Sequence, residues 1–230
     1  MPSWYTTRWR CPLEQTWYPE IVLTDLWRPM VEAWSARCGD LPRVSAVHDS
    51  IFTVGADAIV SPANSFGFMD GGIDREITAS FGPHVQARLQ ERIRTRHHGE
   101  LLVGTAEIVP TDRLPTRYVV AAPTMRVPMV LTETVNPYLA TRAALLLVKH
   151  GTFDDGRPIR SDVRRIAFPG MGTGVGKALP TICARQMMAA IEAVVLERVA
   201  FPASWHDAQT AHQLLYADVA FDLQQGGPRR

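Results

Sequence analysis

The chain has 230 residues, with 24 Lys and Arg against 23 Asp and Glu and a net charge of +1. That length suffices for one sizeable domain with its own core, or for one domain with extensions. With 46% apolar and 20% charged residues the composition is that of an ordinary soluble globular protein. The charge balance argues against a nucleic-acid or membrane-surface role for the chain as a whole. The cysteines, Cys11, Cys38 and Cys183, show neither CxxC spacing nor a zinc rhythm. They read as free thiols of a reducing compartment, and no metal or cofactor is expected. Residues 1–20 lack the apolar core of a signal peptide, and no apolar run is long enough to span a bilayer, so a cytoplasmic location is expected.

The first 20 residues carry Trp4, Tyr5, Trp9, Trp17 and Tyr18 without a clean period. They read as an arm packing on the domain through aromatic anchors, or as a partner-binding extension. Glu20–Thr24 is a strand candidate. Asp25 can cap a helix to about Arg37, with Leu26, Met30, Ala33 and Trp34 on one face. Arg43–Val47 and Asp57–Val60 read as strands, the second of the apolar kind found in covered sheets. A helix is expected near Ile73, and Pro83 can open another to about Thr95. Thr105–Val109 and Arg117–Ala121 are further strands. Residues 122–136 form a loop, and Pro137 suits the first turn of a helix over Tyr138–Lys149. His150–Ser161 reads as loop, Val163–Phe168 as a strand, Leu179–Val199 as a long helix and Ala208–Tyr216 as a short one. Residues 224–230 look frayed.

Alternating strands and helices predict an α/β fold, mostly parallel, with helices on both faces. Ligands in such sheets lie outside the carboxyl ends of the strands. Two glycine-bearing loops fall at such ends, after Val60 and after Phe168, and are the natural walls of one cleft. The second holds Gly170, Gly172, Gly174 and Gly176 alternating with Met171, Thr173 and Val175. Successive backbone N–H groups before a helix suit an anion, most often phosphate. The alternative is a tightly packed loop without ligand. The Walker pattern is not met, because Ala178 follows Lys177. The first loop reads SPANSFGFMDGGID from Ser61 to Asp74, with Gly71 and Gly72 just before a helix. Asn64 and Asp74 can bracket a ribose or hold a water. Alternatively, Asn64 only satisfies loop backbone and Asp74 only complements the helix dipole.

Together the two loops resemble the macrodomain family. Its first motif is matched by DAIVSPANSFGFMDGGID, its second by IAFPGMGTGVG from Ile166 to Gly176, and its opening strand by VSAVHDSIF around Asp49. The resemblance covers roughly residues 43–199. It implies a three-layer α/β/α sandwich with a mixed, mostly parallel central sheet, binding ADP-ribose or an ADP-ribosylated macromolecule. By that resemblance Asp49 meets the adenine amino group and the backbone at Ser50 the purine edge. Ala63 belongs to the Ala-Asn step. Gly71, Gly72 and Ile73 line one side of the diphosphate, and Gly172, Thr173, Gly174, Val175 and Gly176 the other. Asn64 and Asp74 match the pair flanking the distal ribose in the hydrolytic branch. The sequence departs from the family at Ser61 and Pro62, which replace Asn-Ala, and at Met69 and Asp70, where glycines are common. It departs again at Gly176, which replaces an aromatic covering the distal ribose. Phe66 or Phe68 is the candidate to supply that cover. No final strand, and no adenine-side aromatic, is evident after the Leu179–Val199 helix.

Residues 1–40 are therefore expected as an extension, 41–200 as the macrodomain-like domain and 201–230 as a second extension. The leading functional expectation is hydrolysis of ADP-ribosyl groups, with Asp74 orienting or deprotonating water and Asn64 fixing the ribose. A reader that binds ADP-ribose without turnover is the second reading. A phosphatase on ADP-ribose phosphate or a deacetylase on acylated ADP-ribose stays open within the enzyme class. The basic run Arg88, Arg92, Arg94, Arg96, His97 and His98 suggests nucleic-acid binding as a third, less favoured reading. A solvated helix face is the blander account. Arg126, in the Ala121–Pro128 stretch, is a candidate phosphate or ribose contact, against a merely stiffened loop.

Overall fold

The computed structural model describes residues 17–38, 41–198 and 201–222. Residues 1–16 of the aromatic arm and the terminal residues 223–230 lie outside that range. Thirteen elements follow in chain order. They are β1 (Glu20–Thr24), α1 (Arg28–Cys38), β2 (Val44–Val47), β3 (Ala58–Ser61), α2 (Gly72–Phe81) and α3 (His84–Arg96). There follow β4 (Glu107–Pro110), β5 (Tyr118–Ala121), α4 (Asn136–His150), α5 (Ile159–Asp162), β6 (Arg165–Phe168), α6 (Pro180–Val194) and α7 (Trp205–Gln213).

The strands form one sheet in the order β2-β1-β6-β3-β5-β4, parallel except for β4 at the edge, which runs antiparallel to β5. Alternation along each strand divides the core into two layers. Ile21, Leu23, Val60, Ile166 and Phe168 face α1, α4 and α6, where Trp34, Leu145 and Met187 are fully buried. Val22, Ile59, Ala167 and Val119 face α2 and α3, packing with Ile77, Val85, Leu89 and Ile93. The result is the expected three-layer sandwich with a mixed, mostly parallel sheet. No helix among the described residues is long and apolar enough to cross a membrane.

Three local expectations are corrected. Leu26 does not join the buried face of α1: it is 72% exposed, because the helix begins only at Arg28. The loop before β6 contains the four-residue helix α5, too short for apolar periodicity to reveal. Helix α6 ends at Val194 rather than near residue 199. A larger point concerns residues 20–38, which the sequence reading groups with the extension. Strand β1 lies inside the sheet, hydrogen-bonded to β2 on one side and β6 on the other, and α1 packs against α6. No strand follows α6 among the described residues, and the short helix α7 comes instead. Trp17 and Tyr18 pack against the core beside α1, and the Tyr18 hydroxyl donates to the Pro42 carbonyl at 3.0 Å.

Candidate functional site

Strands β3 and β6 are parallel neighbours, pairing Ala58 with Ile166 and Ile59 with Ala167. Their carboxyl ends therefore deliver the loops 62–71 and 169–179 side by side, at the position where a parallel sheet binds ligands. The loop after β5 bridges them. The Thr124 amide donates to the Ala63 carbonyl at 3.2 Å, the Ser65 amide to Arg126 at 3.2 Å, and the Leu131 amide to Gly176 at 2.7 Å.

In the first loop, Asn64 braces its own backbone. Its Oδ1 accepts from the amides of Phe66 at 3.1 Å and Phe68 at 3.2 Å, and its Nδ2 donates to the Phe68 carbonyl at 2.7 Å. Phe68 is 54% exposed, whereas Phe66 lies half-buried beneath the Arg126 guanidinium, 5.1 Å from the ring centre. The exposed position of Phe68 suits a cover over a bound sugar better than that of Phe66. Helix α2 starts after Gly71 with no side chain capping it, so the amides of Gly72, Ile73 and Asp74 keep their donor capacity. Gly72 adopts φ +55°, a left-handed conformation that favours glycine.

Asp74, on the first turn of α2, is buried. Its Oδ1 accepts a short hydrogen bond from the Ser61 hydroxyl at the end of β3. Burial pushes its carboxyl up to about 6, the Ser61 hydrogen bond works against that shift, and the neighbouring charge of Asp70 adds to it. A buried carboxyl that ionises near 6 is suited to proton transfer at neutral pH. Ser61 is therefore the hydrogen-bond partner of Asp74, a contact that the sequence reading does not assign. No local spacing signals it, because the contact joins a strand end to a helix 13 residues later.

In the second loop, the amides of Gly172, Gly174, Val175 and Gly176 meet no hydrogen-bond acceptor among the described residues. Gly174 and Val175 are exposed, and Thr173 is half-buried. The loop is anchored at its start, where the Gly170 amide donates to Asp25 Oδ2 at 3.2 Å. Gly176 is required by close approach. A Cβ there would lie 2.4 Å from the Gly172 carbonyl oxygen and 2.7 Å from Leu131 Cδ1. Buried Leu131, reaching over from the β5 loop, occupies the space beside position 176.

Asp49 and Ser50 follow β2, two strands from β6. Asp49 is exposed, and its Oδ1 accepts from the Ser50 amide at 2.7 Å and the Thr53 hydroxyl at 2.9 Å. Its carbonyl is tied to β1 by the Thr24 hydroxyl at 2.7 Å. Ala63 is buried at the root of the first loop. Arg126, considered for ligand contact, instead forms a paired ion contact with Glu100 at 2.7 and 3.3 Å.

The basic run on α3 is largely neutralised. Arg88 pairs with Asp112 at 2.7 Å, Arg92 with Glu107 at 3.2 Å and Asp154 at 3.1 Å, Arg94 with Glu91, Arg96 with Asp154, and His97 with Glu107 at 3.2 Å. A helix face whose cations are already matched offers little to a phosphate backbone.

Comparison with known proteins places this arrangement. The family model described as the Macro domain matches residues 60–187. An uncharacterized protein of Aquifex aeolicus is 34% identical over 159 residues, spanning 68% of this chain and 87% of its own. A macro domain-containing protein of Ralstonia nicotianae is 33% identical over 143 residues, spanning 60% and 72%. The chain belongs to the macrodomain family. Solved structures of similar fold include the macrodomain of Mycobacterium tuberculosis DarG, with TM-score 0.51 and 15% identity over 63% of this chain and 86% of that one. A point mutant of the Oceanobacillus iheyensis macrodomain with ADPR gives TM-score 0.51 and 21% identity, over 70% and 82%. Strand β1, helix α1 and strand β2 all precede the matched range.

Proposed function

We propose that the protein binds ADP-ribose in the cleft between the two glycine loops and hydrolyses ADP-ribosyl groups from a modified macromolecule or small molecule. Family membership supports the ligand class, and the similar Oceanobacillus iheyensis macrodomain is a structure with ADPR. The observation that carries the catalytic part is Asp74, a buried carboxyl ionising near 6 beside unpaired helix amides.

In this reading the amides of Gly71, Gly72 and Ile73 face the diphosphate from one side. Those of Gly172, Thr173, Gly174, Val175 and Gly176 face it from the other, and Asp49 and Ser50 meet the adenine. The charge is stabilised by fixed dipoles that need no reorganisation. Cleavage at the anomeric carbon develops positive charge on the ribose. Ionised Asp74 then accepts a proton from water as the water attacks that carbon, and the released group leaves with its bonding pair. General-base help of this kind is worth about 10²–10⁴-fold, and fixing the reactants contributes several kcal/mol more. Asn64 uses one amide hydrogen on the Phe68 carbonyl, and the second remains to donate to a ribose hydroxyl.

The test is release of ADP-ribose from a modified protein or nucleic acid, comparing wild type with Asp74→Ala and Asn64→Ala. Loss of release in Asp74→Ala with retained ADP-ribose binding is expected, and full release by both variants contradicts the mechanism. One observation favours a reader without turnover: three hydrogen bonds commit most of the Asn64 amide to its own loop and leave a single N–H for a ligand. Tight calorimetric binding with no release from any ADP-ribosylated substrate is the outcome that reading requires.

A further inference from the structure

An open depression of about 360 Å³ lies between the end of β1 and the loop after β6, with Trp27, Thr173, Gly174, Lys177 and Leu179 in its walls. That volume is within the ordinary range of small-molecule sites. Trp27 follows a strand that is buried from Ile21 to Thr24, yet it is 47% exposed. It is not simply part of the core.

Its position is fixed by polar contacts from both neighbouring loops. Asp25 Oδ1 accepts from the Trp27 amide at 2.8 Å, while Asp25 Oδ2 accepts from the Gly170 amide at 3.2 Å. One carboxylate thus ties the tryptophan to the second glycine loop. On the other side the Asp25 amide donates to Val47, His48 Nε2 lies 3.0 Å from the Leu26 carbonyl, and the Thr24 hydroxyl donates to the Asp49 carbonyl. Trp27 therefore stands between the loop carrying Asp49 and the loop carrying Gly174.

A large, half-exposed indole ring bordered by unpaired glycine-loop amides and the Lys177 ammonium matches a particular chemistry. The ring suits a flat heteroaromatic base, which stacks readily on it. The amides and the cation suit a phosphate attached to that base. We propose that Trp27, supplied by the amino-terminal strand and not by the segment after α6, is the stacking surface for the purine of the bound nucleoside diphosphate. Asp25 is its positioning residue. This rests on the ADP-ribose reading and adds to it the residue that senses the base.

The experiment titrates the full chain with ADP-ribose and with ribose 5-diphosphate, which lacks the adenosine and hence the base. Wild type is compared with Trp27→Ala, Trp27→Phe and Trp27→Leu. Trp27→Ala is expected to weaken ADP-ribose binding roughly 5- to 100-fold, the usual range for a lost stacking contact, and to leave ribose 5-diphosphate binding unchanged. Trp27→Phe keeps most of the affinity. Trp27→Leu preserves apolar bulk without the ring, so it gives the same answer should the alanine variant fold poorly. Unchanged ADP-ribose affinity in Trp27→Ala or Trp27→Leu overturns the assignment alone. Equal weakening of both ligands also overturns it, since the ring would then only support the loop. Absence of ADP-ribose binding by wild type overturns the functional reading and this inference together.

Discussion

The Ser61 hydroxyl donates to Asp74 Oδ1, so the end of β3 holds the buried first-turn carboxyl of α2. A hydroxyl in that place stabilises the ionised form of a buried acid, whose charge burial disfavours.

Asp74 ties folding stability to pH. Its carboxyl ionises near 6 in the folded protein, above its ordinary value, so the folded state holds the proton more tightly than the unfolded chain does. This contribution is fully present below pH 4 and is lost as pH rises through 6. It amounts to roughly 3 kcal/mol across that window. Denaturant unfolding at pH 4 to 7 of wild type and Asp74→Asn isolates it: the difference between the two curves varies with pH as stated, and a constant difference contradicts it.

Removing the Ser61 hydroxyl takes away the contact that opposes the upward shift. Ser61→Ala is expected to move the acidic limb of the pH–rate profile above 6, while the plateau at high pH stays close to that of wild type. It also leaves a buried carboxylate short of a donor, at a cost of about 1–3 kcal/mol near neutral pH. Steady-state rates of ADP-ribose release across pH 5 to 9 check the first point, and thermal melts at pH 7.5 the second.

Asn64→Ala removes two acceptor contacts and one donor contact from the turn 64–68. The turn should loosen, with a loss of about 1–2 kcal/mol and faster hydrogen exchange at the amides of Phe66 and Phe68. If Asn64 also holds a ribose hydroxyl, ADP-ribose binding weakens while ADP binding changes little. Equal weakening of both ligands assigns Asn64 to loop bracing alone.

Position 176 tolerates no side chain without movement of the backbone at Gly172 or of Leu131. Gly176→Ala is expected to destabilise the fold by about 1–3 kcal/mol through overpacking. Measured in a Leu131→Ala background, whose own cavity costs about 2–5 kcal/mol, the glycine substitution should cost less but not nothing, because the carbonyl of Gly172 stays in the way. Chemical denaturation of the two variants separates the contributions.

Much of this architecture is legible in the sequence because it is encoded locally. Apolar runs such as AIVS and RIAF mark covered parallel strands, and glycines at their ends mark the two loops. Pro83 and Pro137 mark helix starts within a residue or two. What escaped is encoded by tertiary pairing. EIVLT reads as a strand, but its place between β2 and β6 depends on partners more than 140 residues away in one case. Because that place is set by tertiary pairing, nothing local in the sequence marks Trp27 as a neighbour of the second glycine loop. The Ser61 contact to Asp74, the Leu131 side chain beside Gly176 and the matching of the α3 cations to Glu107, Asp112 and Asp154 are hidden for the same reason. Asn64 is legible as a candidate site residue, but only the folded loop shows how much of its amide the backbone uses.

The most direct measurement is a crystal structure of the protein with ADP-ribose bound. It should place the diphosphate against the amides of residues 71–73 and 172–175, with an ordered water between the Asp74 carboxylate and the anomeric carbon of the distal ribose. A diphosphate bound elsewhere, or an Asp74 carboxylate out of hydrogen-bond reach of any water beside that carbon, would contradict the account.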